Sequence, residues 1–541
     1  MKSGENYKSR RTFLKGIAAS LLLIPLVQSC KQKASGLLLR LTGTNHILGH
    51  RLWAKNFPKP VREIRVPYLI VGGGIAGLSA ARQLHKKGIT DFLLVEMEDH
   101  LGGNSSNGEN RYSKYPLGAH YLPLPNLQDK ELLQFLEETK IITGYDAKGL
   151  PVFDEEQLTF SPQERLYYKN SWQEGLVPRL GATPAEEEQF RGFFDKMEFF
   201  RKAKGQDGAY LFDIPLVLSS TDSETRLLDT ITMQEWMDRN GFTAEALQNY
   251  IDYCCRDDYG LGIAYVSAWA GIHYFCGRKH DATSDKKENV LTWAEGNARL
   301  ASHFKKYTNR KTLKKHLVYQ VEIKNDSVAV AAFDSEKQES VTIVADRVIL
   351  ATPQFVNQYL LGGRKEIAKA FHYAPWMLAT VTVTELFDNQ SYPLCWDNVI
   401  YDAKGLGYIY DQHQSLQQLQ PKKVITYYHS FSSENIPQSR RELYKQDKEY
   451  WKRQVLSDLS KAHPNIEQYV ETIDIHLLGH GMISPVPGFL FGKEKEQAKQ
   501  SIGNRIYFAH SDLAGISIFE EAFHQGINAV NKMIHDATLD S

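Results

Sequence analysis

The chain has 541 residues, 42% of them hydrophobic and 24% charged, and its 64 basic residues balance 64 acidic ones. That composition excludes global disorder, and the absence of a basic excess argues against a nucleic-acid binder. Five cysteines exclude a disulfide scaffold, and at ~150 residues per domain the length predicts about two to four domains.

Ser9-Arg10-Arg11-Thr12-Phe13-Leu14-Lys15 reads as a twin-arginine export signal, followed by a short apolar run from Gly16 to Val27. That run is well under the ~20 residues that span a bilayer, so it is a signal h-region. It ends in Val27-Gln28-Ser29-Cys30, which resembles a bacterial lipobox with Cys30 as the lipid-bearing residue; ordinary cleavage nearby is the alternative. The expectation is a signal peptide over 1–29 and a tether over 30–61, in which Leu37–Leu41 could pack. The export machinery would place the protein on the periplasmic side. Because that route carries folded proteins, any cytoplasmic cofactor must be bound tightly before crossing. No later apolar run reaches ~18 residues, so no transmembrane helix is predicted.

Pro67 to Val71 is an apolar run suited to a buried parallel strand. It enters Gly72-Gly73-Gly74-Ile75-Ala76-Gly77, where Gly72, Gly74 and Gly77 fit G-x-G-x-x-G. A helix is predicted over Leu78–Lys87, and a second strand over Phe92–Val95, ending at Glu96. Gly72 allows the tight turn, Gly74 lets backbone N–H groups approach a pyrophosphate, and Gly77 lets helix meet strand. The helix N-terminus, with Ile75 and Ala76, favours the negative phosphates, and Glu96 would accept ribose hydroxyls.

Further segments resemble the flavin amine oxidase and phytoene desaturase superfamily. Leu101-Gly102-Gly103-Asn104 is similar to its second glycine pair, although the family usually ends that motif in arginine. Gly118-Ala119-His120-Tyr121 resembles the loop beside the flavin ring. Val348 to Pro353, containing Ala351-Thr352-Pro353, resembles the strand and turn that close the inserted antiparallel sheet. Gly503 to Asp512 resembles the strand and acidic turn that hold the ribityl chain. The helix after it, Ile518–Ile534, would aim its N-terminus at the pyrimidine end of the flavin; the family usually has glycine where this chain has Glu521. The resemblance implies FAD, with Val321 near the adenine. No S/R-G-G-C-Y-like motif marks covalent attachment, so the FAD is expected to be noncovalent.

The fold class this implies is α/β: an FAD/NAD(P)-binding Rossmann-like domain built from discontinuous segments, with an inserted α+β substrate domain. The FAD-binding pieces would be 62–130, 285–362 and 472–541. Strands are predicted over Val318–Ile323, Val328–Phe333 and Val341–Val344. The substrate domain would take 131–284 and 363–471. Its predicted helices are Asp129–Thr139, Ala185–Ala203, Thr232–Asn240, Ala244–Cys255 and Arg440–Ala462, and its strands Leu378–Glu385 and Val424–Phe431.

Only one complete dinucleotide fingerprint is present, so no separate NAD(P)H site is expected. The flavin would be reduced by a small-molecule substrate and reoxidised by oxygen or a membrane-side carrier. Candidate lining is Trp269, His273, Tyr274, Phe275, Trp376 and Trp396, with core packing as the alternative for each. The lysine that many relatives place near the flavin has no counterpart between Lys369 and Lys404. His480 is the first candidate for a titrating group and His120 the second. Arg256-Asp257-Asp258-Tyr259-Gly260 could bind a charged substrate or form a salt-bridged hinge. Cys254-Cys255 has no partners at zinc spacing, so no metal site is expected. The activity read from this is oxidation of an organic substrate, an amine being one candidate. The rivals are a flavin enzyme without net redox (a carotenoid-type isomerase or a sugar-nucleotide mutase) and a non-catalytic FAD-stabilised binding protein.

Overall fold

The computed structural model describes residues 37–283, 289–386 and 391–539. The export signal and Cys30 therefore lie outside the described residues. One compact unit starts at Leu39 and holds the elements discussed below.

Two sheets organise this unit. The first has seven strands. Its spine runs Thr312–Leu313, Phe92–Val95, Pro60–Val71, Glu339–Leu350, Ser327–Asp334 and His316–Lys324, with Ile506–Phe508 paired to Glu339–Leu350. Leu69, Ile70 and Val71 are buried, as strands covered on both faces must be. They run parallel to Leu93–Val95 on one side and Val348–Leu350 on the other. The helix Ile75–Lys86 covers one face and keeps small residues, Ala76, Ser79, Ala80 and Ala81, toward its neighbours. Helix Phe519–Leu539 crosses it closely: Ser79 Oγ donates to Phe523 O at 2.6 Å. Val71, Val95, Val328, Val330 and Ile343 pack on the other face. Val321 is buried in that same cluster.

The second sheet has eight strands in the order Leu38–Gly43, Val470–Ile483, Tyr373–Val383, Lys423–Ser430, Gly407–Tyr410, Asp397–Ile400, Glu164–Tyr168 and Ser171–Glu174. From Val470–Ile483 to Ser171–Glu174 its pairings are antiparallel except where Asp397–Ile400 meets Glu164–Tyr167. A helical group, Pro184–Lys202, Met233–Arg239, Glu245–Tyr259 and Ala268–Cys276, forms its own core around Phe193, Met233, Ile251 and Trp269.

Three sequence expectations need correction. The tether reading fails after residue 37. Leu38–Gly43 is an edge strand, and Leu48 and Leu52 are buried against Val71 and Val95. The expected FAD-binding piece begins at residue 472, yet Val470–Ile483 pairs with Tyr373–Val383 in the second sheet. Arg440–Ala462 is two helices, Ile436–Lys445 and Lys448–Ala462. Asp447 breaks it by capping the second, its carboxylate accepting from Tyr450 N at 2.7 Å.

Candidate active site

The glycine turn is built by close approach. Gly72 has φ +105°, and a Cβ there would lie 2.6 Å from Ala351 O. A Cβ on Gly77 would meet Gly72 O at 1.9 Å. By contrast, a Cβ on Gly74 would meet nothing nearer than Gly103 Cα at 4.0 Å, so this face of the loop opens on free space. Helix Ile75–Lys86 starts from Gly74 without a side-chain cap. Its first-turn N–H groups, including those of Ile75 and Ala76, are left to an anion. Gly102 docks on this turn, its N–H donating to Gly73 O at 2.9 Å. Glu96 is braced by the same turn, Oε2 accepting from Gly73 N at 2.6 Å and Oε1 from Glu98 N at 2.8 Å. These residues fit the dinucleotide half of FAD: an open glycine face, an uncapped helix and a carboxylate at the strand end.

Asn104 stands where the family usually has arginine, and its side chain has a structural task. Its Nδ2 donates to Gly481 O at 2.6 Å, and its own carbonyl accepts from Ala119 N at 2.8 Å. Asn104 thereby seats the loop Gly118-Ala119-His120. Thr352 Oγ1 donates to Asn357 Oδ1 at 2.6 Å, and Pro353 opens the helix Gln354–Leu360. Asp512 is fully buried; Oδ2 accepts from Tyr373 Oη at 2.6 Å and from Gln354 N at 2.8 Å. Ile518 is half-buried just before helix Phe519–Leu539. In that helix's first turn Glu520 pairs with Arg278 at 2.6 Å, and Glu521 accepts from Leu216 N. Glu521 is likewise occupied by the fold.

Beyond Gly118 the chain enters an aromatic cluster. Trp376, Trp396, Tyr428 and Leu478 are buried together, with Tyr121, Tyr253 and Met482 packed against them. The His120 ring lies 5.1 Å from Tyr121, 5.4 Å from Tyr428 and 6.0 Å from Trp396. Trp376 Nε1 is buried without a partner among the described residues. Carboxyls crowd the same region. Asp257 is pushed well above the usual carboxylate range by burial, then by Asp258 and Asp397. Asp258 is raised to about 6 by burial, against the pull of Arg278, and Asp397 to about 7 by burial. Asp257 and Asp258 are the last turn of helix Glu245–Tyr259, and Arg256 donates to Lys404 O at 2.6 Å. The charges acting on Asp257 are both negative, whereas Arg278 acts on Asp258.

Trp376 and Trp396 do come together, but Trp269 does not join them. It is 1% exposed in the helical core, packed on Phe212 and stacked on His273. His273 and Phe275 are buried in that core too; Tyr274 adjoins Tyr121. Neither histidine candidate titrates near neutrality. His480 stacks on Phe355 at 3.8 Å, and burial, with Arg440 and His50 nearby, lowers it to about 2. Burial lowers His120 to about 4. Tyr253, Tyr428 and Asp397 were missed; Tyr428, within a predicted strand, was the one its aromatic pattern could have revealed.

A family profile described as flavin containing amine oxidoreductase matches residues 75–534. The chain belongs to this family. As a flavin containing amine oxidoreductase it is an FAD-dependent oxidoreductase, and FAD is its cofactor. Polyamine oxidase 1 of Zea mays is 39% identical over 54 residues, a stretch covering 10% of this chain and 11% of that protein. The chain thus matches about a tenth of the length of that curated relative. Among solved structures, a double mutant of putrescine oxidase aligns with TM-score 0.65 and 15% identity, covering 87% of this amine oxidoreductase and 100% of that chain. A fatty acid isomerase from P. acnes aligns with TM-score 0.62 and 16% identity, covering 86% and 98%. At these identities the likeness is one of fold.

Proposed function

We propose that this amine oxidoreductase oxidises a small organic amine with noncovalent FAD and passes the electrons to oxygen or a membrane-side carrier. The observation that carries the reading is the set of buried carboxyls at the aromatic cluster, whose ionisation a bound cation would favour. Asp257, Asp258, Asp397 and Glu520 gather there, and Arg278 acts on Asp258 and Glu520 while no cation acts on Asp257 or Asp397. Buried carboxyls in such excess favour a cationic ligand, and aromatic faces favour an ammonium group.

FAD, when bound, supplies the two-electron sink. The protein's share is to place the amine against it and to exclude water. The residues that would hold it are Gly72, Gly74, Ile75, Ala76, Gly77, Glu96, Gly102, Gly103, Gly118, Ala119, His120, Val321, Thr352, Pro353, Asp512 and Ile518. Asn104 holds the loop rather than a phosphate. The four described cysteines are buried, which supports a noncovalent cofactor.

The proposal extends to export by the twin-arginine route and lipid attachment at Cys30, supported by residues 9–30 of the sequence. Among the described residues no helix is long and apolar enough to cross a membrane. The fold likeness to a fatty acid isomerase supports a second reading, flavin chemistry without net oxidation. That reading calls for an apolar cleft and sits poorly with the carboxyls.

The test is the visible spectrum of residues 31–541 during anaerobic titration with n-butylamine, benzylamine and 1,4-diaminobutane. Bleaching of the flavin band establishes amine oxidation. A band that survives all three moves weight to the isomerase reading.

A further inference from the structure

Tyr428 faces the aromatic cluster from strand Lys423–Ser430. Its hydroxyl donates to Asp397 Oδ1 at 3.0 Å. Tyr253 Oη lies 3.5 Å from Asp397 Oδ2 and 3.3 Å from Tyr428 Oη, closing a triangle of two phenols and one carboxyl. Asp397 is 8% exposed. The groups around it come from several elements, with Glu164 its register partner on strand Glu164–Tyr168. Helix Glu245–Tyr259 brings Tyr253 and Asp257, the loop after Gly118 brings Tyr121, and its own segment brings Cys395 and the Asn398 N–H. Arg165, the nearby cation, binds Asn398 Oδ1, Tyr392 O and Tyr408 Oη. None of the groups that act on Asp397 is a cation.

Because Tyr428 spends its proton on Asp397, its oxygen is left to accept one. We infer that Tyr428 and Asp397 form a relay that removes one proton from the substrate's ammonium group before oxidation, an inference that rests on the amine reading above. An ammonium has no free lone pair, and its α-carbon cannot yield a hydride until it gains one. In the relay the N–H bond breaks as its proton moves to Tyr428 Oη, while the Tyr428 proton moves to Asp397 Oδ1. The products are a neutral amine, an unchanged phenol and a neutral Asp397 carboxyl; no electrons move. Tyr428 is the catalytic residue, since it touches the amine. Asp397 acts through it and is a positioning residue and proton store.

Burial helps the balance. From an ammonium near ~10.4, transfer to an ordinary carboxylate near ~3.9 is uphill by about six and a half powers of ten. With Asp397 raised to about 7 the gap is about three and a half.

The test compares wild-type holoenzyme with Asp397→Asn and Tyr428→Phe, each first checked for its flavin band. Flavin bleaching by the three amines is timed anaerobically from pH 6 to 10. Both variants should bleach roughly a hundredfold more slowly at pH 7 and come within about threefold of wild type at pH 10, where much of the amine is already neutral. Calorimetry with tert-butylamine, which has no α-hydrogen to lose, gives a readout apart from turnover. At pH 6 Asp397 starts mostly neutral and must give its proton to solvent before it takes the amine's, so wild type should release close to one proton on binding and Asp397→Asn none. Should Asp397→Asn lose its flavin, Tyr428→Phe alone decides the kinetics, since it leaves the carboxyl in place. Variants as fast as wild type at every pH, or slowed equally at every pH, overturn the relay and leave the amine reading standing. A wild-type flavin that none of the amines bleaches overturns the amine reading, and the relay with it.

Discussion

Gly77 faces Gly72 O so closely that a methyl group would separate helix from strand. Gly77→Ala is therefore expected to leave the purified protein with under roughly a tenth of its flavin, read as visible absorbance per chain. This position was legible in the sequence because the constraint is local: a turn of six residues needs those glycines whatever surrounds it. His480 was not legible in the same way. Its neighbours Phe355 and Tyr373 lie more than a hundred residues away, and burial among such groups, with Arg440 and His50 nearby, lowers it. His273 allows that effect to be measured. It is 2% exposed, donates to Asp213 O, and is lowered by burial to about 4. Its folded value lies below its unfolded value of ~6.5. Unfolded chains thus bind a proton that folded ones refuse, and stability is lost as pH falls from 6.5 toward 4. His273→Gln removes this contribution. Denaturant midpoints at pH 7 and pH 5 should show wild type losing about 1 kcal/mol per pH unit relative to the variant.

At the scale of elements, helix Glu245–Tyr259 ends on Gly260, at φ 73°. A Cβ there would stand 2.5 Å from Ala374 Cβ and 2.9 Å from Trp376 Nε1. Gly260→Ala should cost about 1–3 kcal/mol in urea denaturation, and it should weaken tert-butylamine binding by displacing Trp376. The helix itself was readable from its period, and so was the strand carrying Tyr428. What periodicity could not give was their meeting: Tyr253 and Tyr428 touch across 175 residues of sequence, and each alone looks like an ordinary core aromatic. The helix break at Asp447 is a different kind of miss. The apolar spacing continues through it, and the stop is carried by a cap. Asp447→Ala should cost about 1 kcal/mol, measured as a shift in the denaturant midpoint.

In the whole molecule, residues 39–61 belong to the folded body. Leu48 and Leu52 fill the cluster under Val71 and Val95. A chain starting at residue 62 should lose roughly 3–6 kcal/mol in urea unfolding relative to one starting at residue 37, at ~1.5–3 kcal/mol per buried leucine. A tether would show no difference. The discontinuous FAD domain was legible because its pieces announce themselves in order, each with its own turn. The assignment of Val470–Ile483 was not, since a long apolar strand fits either sheet and only its partner decides. The last strand of the first sheet, Ile506–Phe508, settles beside Val348–Leu350 although it lies near the end of the chain. A ribosome working at ~5–20 residues per second delivers it roughly half a minute to two minutes after the first residue. For the stretch between Leu350 and Ile506, the strand next to the glycine turn's own strand stands without this neighbour. Cofactor retention is therefore expected to need Ile506–Phe508. A nascent chain stopped short of residue 506 would carry every glycine of the fingerprint and still fail to retain FAD.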